Sequence, residues 1–266
     1  MSFFELMQAA GSTSEVTVPA SWGQGRAGFG GLAAALVYQA MQAKVPAGRP
    51  VRSLAITFVG PMLVDVPLSV EVEVLREGKA VSQVLGRAVQ QGQVVTLVQG
   101  SFGAPRLSNV RVPALPAPAL KALEDCAELP YMQGVTPEFT RHLAMRWAEG
   151  GMPFTANPAR EMAGWVRLRA QADEAARPVD EAHLLALVDA WPPAVLAHLR
   201  EPAPGSSLTW TIEFVQPTPM LTTLDWCQYR AQIEHACDGY GHIASALWTA
   251  DGQLLAISRQ TVTVFD

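Results

Sequence analysis

The chain has 266 residues, 49% of them hydrophobic and 16% charged, with a formal net charge of −5 and a pI of about 5.6. Such a composition supplies a substantial core and excludes long disordered stretches, and its acidic balance offers no electrostatic footprint for nucleic acid or an anionic membrane. No apolar run approaches the ~18 residues needed to cross a bilayer, and the cysteines Cys126, Cys227 and Cys237 are widely spread without a CxxC pair, which points to a reducing compartment and to the cytoplasm.

Taken in order, MSFFELMQAA carries Glu5 and no basic stretch, so it reads as a short amphipathic helix and not as a secretion signal. A first strand is expected over Glu15 to Ser21. Gly23-Gln-Gly25-Arg-Ala-Gly28 then matches GxGxxG formally, between a strand and a helix. A dinucleotide site also needs an acidic residue about 20 positions on, and a parallel strand after the helix. From Val16 to Val64 there is no Asp or Glu, and the strand that follows is expected to run antiparallel, so no dinucleotide cofactor is implied. Small residues here instead allow a strand or ligand to approach the backbone closely.

The Ala/Leu-rich run that starts at Gly31 predicts a buried helix, and Ser53 to Phe102 predicts a series of antiparallel strands with a turn at Gly92-Gln93. Pro113-Ala-Leu-Pro-Ala-Pro-Ala-Leu suits an extended connector, with a short helix expected over Leu120 to Leu129. The pattern then repeats. Strands are expected over Phe139 to Ala148 and Glu161 to Ala170, an apolar helix from Glu181 to Trp191, and a meander from Ser207 to Phe265 with a turn at Gly252-Gln253.

Both meanders open on Ser-Leu and a strand that ends in Phe-Val, and both continue through Pro-Met-Leu, at Pro61 to Leu63 and Pro219 to Leu221. Two like halves therefore stand in tandem: residues 1–112, a Pro/Ala-rich connector over 113–130, and residues 131–266. Each half reads as an antiparallel sheet wrapped around one central apolar helix. Such a sheet leaves an edge open, and joining two of them edge to edge covers it. The expected fold is α+β, a tandem of two such sheet-and-helix units.

Some tempting motifs fail. His235 and Cys237 share a strand face near Cys227 and His242, but four convergent zinc ligands are not evident from that spacing, and no metal is implied. There is no Gly-x-Ser-x-Gly elbow, so hydrolysis by this chain would use water as the nucleophile. Three residues carry more promise. Asp189 interrupts the most apolar helix of the second half, where an unpaired carboxylate is costly; alternatively it caps a turn that begins at Pro192 or Pro193. Thr223 stands in Pro219-Met-Leu-Thr-Thr-Leu-Asp225 at a turn before a strand, and Gln260 in the last strand, Ile257-Ser-Arg-Gln-Thr. Taken singly, Thr223 is an ordinary strand former and Gln260 an ordinary solvent-facing glutamine.

Taken together, and with Trp22 and Gly28-Phe-Gly-Gly31 at the first helix, these residues make the chain resemble the double-hotdog acyl-CoA thioesterases, similar to bacterial acyl-CoA thioesterase II, over nearly its whole length. The resemblance implies hydrolysis of fatty acyl-CoA, with Asp189 as the base that activates water and Thr223 and Gln260 orienting it. It implies no cofactor. Fused halves already form a dimer-like unit, and such units often associate further into homo-oligomers. Aligning the halves on their motifs sets Tyr38 opposite Asp189, Asp65 opposite Thr223 and Gly100 opposite Gln260, so the first half lacks the trio. One working half beside one supporting half predicts an acyl channel between the two central helices, with Phe29, Gly30, Gly31 and Trp191 as substrate-binding candidates beside Leu32 and Leu36. Two other functions compete: a hotdog hydratase or dehydratase, which wants a His beside a carboxylate, and a non-catalytic acyl-CoA-binding protein.

Overall fold

The computed structural model describes residues 1–13, 15–169 and 176–265. The first half runs α1 (Phe3–Ser12), β1 (Glu15–Thr17), a small hairpin of β2 (Gly23–Gln24) and β3 (Ala27–Gly28), α2 (Gly30–Gln42), β4 (Val51–Phe58), β5 (Pro67–Glu77), β6 (Val81–Gln90) and β7 (Gln93–Gly103). The second runs β8 (Ala127–Glu128), β9 (Leu143–Glu149), β10 (Glu161–Leu168), α3 (Glu181–Asp189), β11 (Gly205–Phe214), β12 (Cys227–Cys237), β13 (Tyr240–Thr249) and β14 (Leu254–Val264).

Twelve strands form one continuous sheet in the order β1-β5-β6-β7-β4-β11-β14-β13-β12-β10-β9-β8. This is the double-hotdog α+β fold, its two sheets fused through the β4–β11 pair. Within that pair Ile56 lies opposite Trp210. Counted from the Ser-Leu that opens each meander, Ile56 and Trp210 hold the same place, so the pseudo-twofold axis passes between them. Strand alternation fixes which face is covered: in β6 every second residue from Ser82 to Gln90 is buried, as a sheet packed on one side only requires.

The covered face holds α2 and α3. Neither helix shows a polar stripe, because each is enclosed by sheet, partner helix and loops; in α2 every residue from Gly31 to Tyr38 is buried, and in α3 every residue from Ala182 to Val188. Leu32, Leu36, Leu184 and Leu185 are fully enclosed, each contributing roughly 1.5–3 kcal/mol relative to exposure. The helices run antiparallel, the first turn of α2 against the last of α3. A Cβ added to Gly31 would stand 2.9 Å from Asp189 Cβ and 3.0 Å from the Leu185 carbonyl oxygen, so the crossing needs glycine at that position. The N-terminal helix is amphipathic as expected. It opens on a Ser2/Glu5 capping box and buries Phe3, Leu6, Met7 and Ala10 at the i, i+3, i+4, i+7 spacing of one face.

Several boundaries differ from the sequence expectation. The first strand stops at Thr17, and the chain turns through a 3₁₀ segment at Ala20–Trp22 led by Pro19, which has no N–H for a ladder. Phe139 lies in a second 3₁₀ segment, Glu138–His142, and pairing starts only at Leu143. The strand expected over Glu161 to Ala170 ends at Leu168; residue 170 is outside the described residues. Leu120 to Leu129 forms no helix: a 3₁₀ turn at Leu123–Asp125 leads into β8, which pairs with β9. Only Cys126 is buried in that stretch, so no apolar face exists to hold a helix. The GxGxxG segment is the β2–β3 hairpin, with Gly25 at φ 63° in its turn. Finally, Gln260 lies opposite Trp210, and Ile56 lies opposite Val98. The mate of Gln260 is thus Val98, not Gly100: from its Gly-Gln turn to the level of the axis β14 runs two residues further than β7, so a match made on the turns alone slips by two.

Candidate active site

Asp189 is the last residue of α3, and Gln260 is on the covered face of β14, between Trp210 of β11 and Ile243 of β13. The Gln260 Nε2 donates to Asp189 Oδ1 at 2.8 Å. The other carboxylate oxygen faces the start of α2, where a Cβ on Gly30 would come 3.0 Å from Oδ2 and the Gly31 N–H supplies a second hydrogen bond. The carboxylate therefore sits between two donors and the positive end of α2. Burial still outweighs them and pushes its pKa up to about 7, because desolvation disfavours the charged form. Asp189 does not cap the turn that follows it: the next 3₁₀ segment, Ala194–His198, starts from Pro193 without a side-chain cap.

Thr223 is placed elsewhere. Its hydroxyl accepts from the Arg177 N–H at 3.3 Å and its own N–H donates to the Arg177 carbonyl at 2.9 Å. With His142 and His183 it lines a cavity of about 30 Å³ that does not include Asp189 or Gln260 among its walls. His183 belongs to the first turn of α3, about 9 Å of helix rise before Asp189. Asp65 does for the first half what Thr223 does here: its side chain accepts from the Ala20 N–H and its N–H donates to the Val18 carbonyl. In both halves the residue ties a loop to the segment that leads into the central helix.

The substrate-binding candidates divide. Gly30 and Gly31 touch Asp189. Phe29 is fully buried, stacked at 4.1 Å on Phe139 and at 6.5 Å on Trp22, and acts as core at the head of α2. Leu32 and Leu36 are likewise fully buried. Trp191 lies two residues past Asp189, stacked at 5.0 Å on Tyr229 of β12 and tilted against Trp147 at 5.1 Å. Tyr229 escaped the sequence reading. Burial, chiefly, and the nearby charge of Asp189 raise its pKa, while a hydrogen bond with Ser245 opposes this. The signal was present: inward positions of β12 read Cys227, Tyr229, Ala231, Ile233, and one polar tip in an apolar row marks a side chain with a partner.

The histidine chemistry of a hydratase is not assembled around Asp189. His183 Nδ1 lies 2.6 Å from Asp180 Oδ1 in the cap of α3. His142 stacks on Trp22 at 3.9 Å, and burial lowers its pKa to about 4.

Residues 18–103 match the family model of the acyl-CoA thioesterase N-terminal domain, and residues 123–264 that of the acyl-CoA thioesterase C-terminal domain. Among solved structures, the chain is similar to a hot dog fold protein of unknown function from Alicyclobacillus acidocaldarius, with TM-score 0.82 and 22% identity over 98% of each chain. It is also similar to an acyl-CoA thioesterase II from Mycobacterium marinum, with TM-score 0.74 and 19% identity over 94% of this chain and 92% of that one. A third is the tesB protein of Mycobacterium avium subspecies paratuberculosis, with TM-score 0.73 and 17% identity over all of both chains. At these identities the structures show a common fold. No curated protein matches by sequence.

Proposed function

The chain belongs to the acyl-CoA thioesterase family and is a thioester hydrolase; from that premise we propose that it hydrolyses acyl-CoA with water activated by Asp189. The observation that carries this reading is the 2.8 Å hydrogen bond from Gln260 to a carboxylate whose pKa burial has brought to about 7. A base works best when its pKa lies near the working pH, since it is then both ionised and basic enough to take a proton.

Asp189 removes a proton from water as the water oxygen bonds to the thioester carbonyl carbon. Gln260 holds the carboxylate through one oxygen and leaves the other on the side of α2, whose first-turn N–H groups favour the negative charge that develops on the carbonyl oxygen. Collapse of the tetrahedral adduct breaks the C–S bond. The CoA thiolate leaves and takes a proton, and a carboxylic acid remains. Thr223 has no part in this scheme, since its hydroxyl holds the Arg177 backbone. A cytoplasmic site of action accords with three cysteines that form no disulfide.

The test is thiol release from a panel of acyl-CoA esters of graded length, comparing the wild type with Asp189→Asn. A drop of about 10²–10⁴ in kcat in a folded variant supports general-base catalysis. Equal rates in the two proteins reject it.

A further inference from the structure

Seven tryptophans occur in the chain, and for five of them the indole N–H has an acceptor. Trp22 donates to the Met1 carbonyl, Trp147 to Gly150, Trp165 to Lys121, Trp248 to Leu115, and the fully buried Trp210 to Ser258 Oγ at 2.7 Å. Trp191 differs. Only 5% of the residue is exposed, its Nε1 is shut off from solvent, and among the described residues nothing accepts from it. A buried donor without an acceptor is destabilising, and native proteins keep few of them.

The indole cannot easily swing away to find one. Its ring lies flat on Tyr229, 5° from parallel, and its far edge presses on Gly164 of β10. There a Cβ would stand 2.5 Å from Trp191 Cη2. The β9–β10 register shifts at that glycine, and a bulge of this kind re-aims the strand beside a functional site. The protein thus holds a rigid donor, with its hydrogen unmatched, two residues from the proposed base.

We infer that the Trp191 indole N–H donates to an oxygen of the bound acyl group. This rests on the thioesterase reading, and gives it a second contact to substrate beside Asp189, from the indole stacked on Tyr229. Two oxygens carry the same chemistry: the thioester carbonyl oxygen, and a hydroxyl or oxo substituent further along the chain. Trp191 then acts on the substrate directly. If the carbonyl is the acceptor, the contact strengthens as that oxygen gains charge.

The experiment replaces the N–H without altering the ring's shape, by site-specific Trp191→β-(3-benzothienyl)alanine, which carries sulfur in place of the N–H. kcat/KM is measured for alkanoyl-, 3-hydroxyacyl- and 3-oxoacyl-CoA of one preferred length. A loss of about tenfold or more on all three assigns the N–H to the thioester carbonyl, and a loss confined to the oxygenated pair assigns it to the substituent. Unchanged kcat/KM for all three overturns the inference. If the wild type hydrolyses none of them, the thioesterase reading itself fails. The Trp191 assignment is then decided by calorimetric titration with a ketone analogue in which a methylene separates sulfur from the acyl carbonyl and the 3-oxo group is kept. A tenfold weaker Kd in the variant supports the contact, and an equal Kd rejects it.

Discussion

The hydroxyl of Tyr38 meets Glu181 at 3.1 Å at the point where the pseudo-twofold axis carries the approach of Gly30 to Asp189. The shift along the sequence that takes Gly30 to Glu181 also takes Tyr38 to Asp189. One end of the helix pair holds a carboxylate whose pKa is raised; the other holds a phenol, kept protonated by burial, bonded to a carboxylate that also accepts from Gln216 at 2.7 Å.

Tyr38→Phe is therefore expected to leave thioester hydrolysis within about twofold of wild type while lowering stability by about 1 kcal/mol, the net worth of one hydrogen bond. Denaturant unfolding and thiol release on the same preparation check this. A large loss of kcat with no loss of stability would assign the mirror site to catalysis.

The rate is expected to rise with pH through an apparent pKa near 7, because only ionised Asp189 accepts the proton. Gln260 donates to the anion and so lowers this pKa; Gln260→Ala is expected to move the acid limb to higher pH and to reduce kcat. The same group affects folding. Its folded pKa lies above its ordinary value of 3.8, so the stability it contributes is complete below about pH 4 and is lost as pH rises through about 7. Asp189→Asn is then more stable than wild type at pH 8, by a few kcal/mol at most, and the difference shrinks in acid. A pH-independent difference in chemical unfolding would contradict it.

At the helix crossing, Gly31→Ala places a methyl against Phe29, Asp189 and the Leu185 carbonyl. Overpacking of this sort costs about 1–3 kcal/mol, and it displaces the carboxylate from Gln260. Lower stability and lower kcat together are expected, read by thermal unfolding and steady-state kinetics. Loss of stability alone would show that the crossing distance does not govern the site.

Thr223→Val removes an acceptor from the Arg177 N–H and is expected to cost about 1 kcal/mol of stability with kcat unchanged. Thr223→Ser restores the stability. A 10²-fold fall in kcat for the valine variant would return Thr223 to the water-orienting role suggested by family resemblance.

Fold and site were legible in the sequence to different degrees. Ser53-Leu54 and Ser207-Leu208 hold like places in the two strands that meet at the axis, so the repeat was readable as architecture. Asp189 stands out as a candidate because a carboxylate inside an apolar run needs a reason, and Gln260 is a candidate only through the resemblance; the hydrogen bond between them was not legible. Nor was the Val98 mate of Gln260, since β14 runs two residues further than β7 between its Gly-Gln turn and the axis, a difference in strand length that leaves no local mark in the chain. Thr223 is ambiguous for a related reason. A threonine at a turn looks the same whether its hydroxyl faces a substrate or a backbone N–H, and only the tertiary path of residues near Arg177 tells them apart. The orphan N–H of Trp191 also depended on packing, because six other tryptophans carry the same group.

The β4–β11 pair has a further consequence. Gly31 belongs to one half of the molecule and Asp189 to the other, and the strands that bring the halves together are covalently tethered. In a site shared between two separate chains, dilution below the dissociation constant would part the base from the facing helix. Here the tether holds the local concentration of one half at the other far above any working protein concentration. The contact between Gly31 and Asp189 therefore persists at any dilution at which the chain stays folded, and each half can tolerate a weaker junction than a free subunit would need.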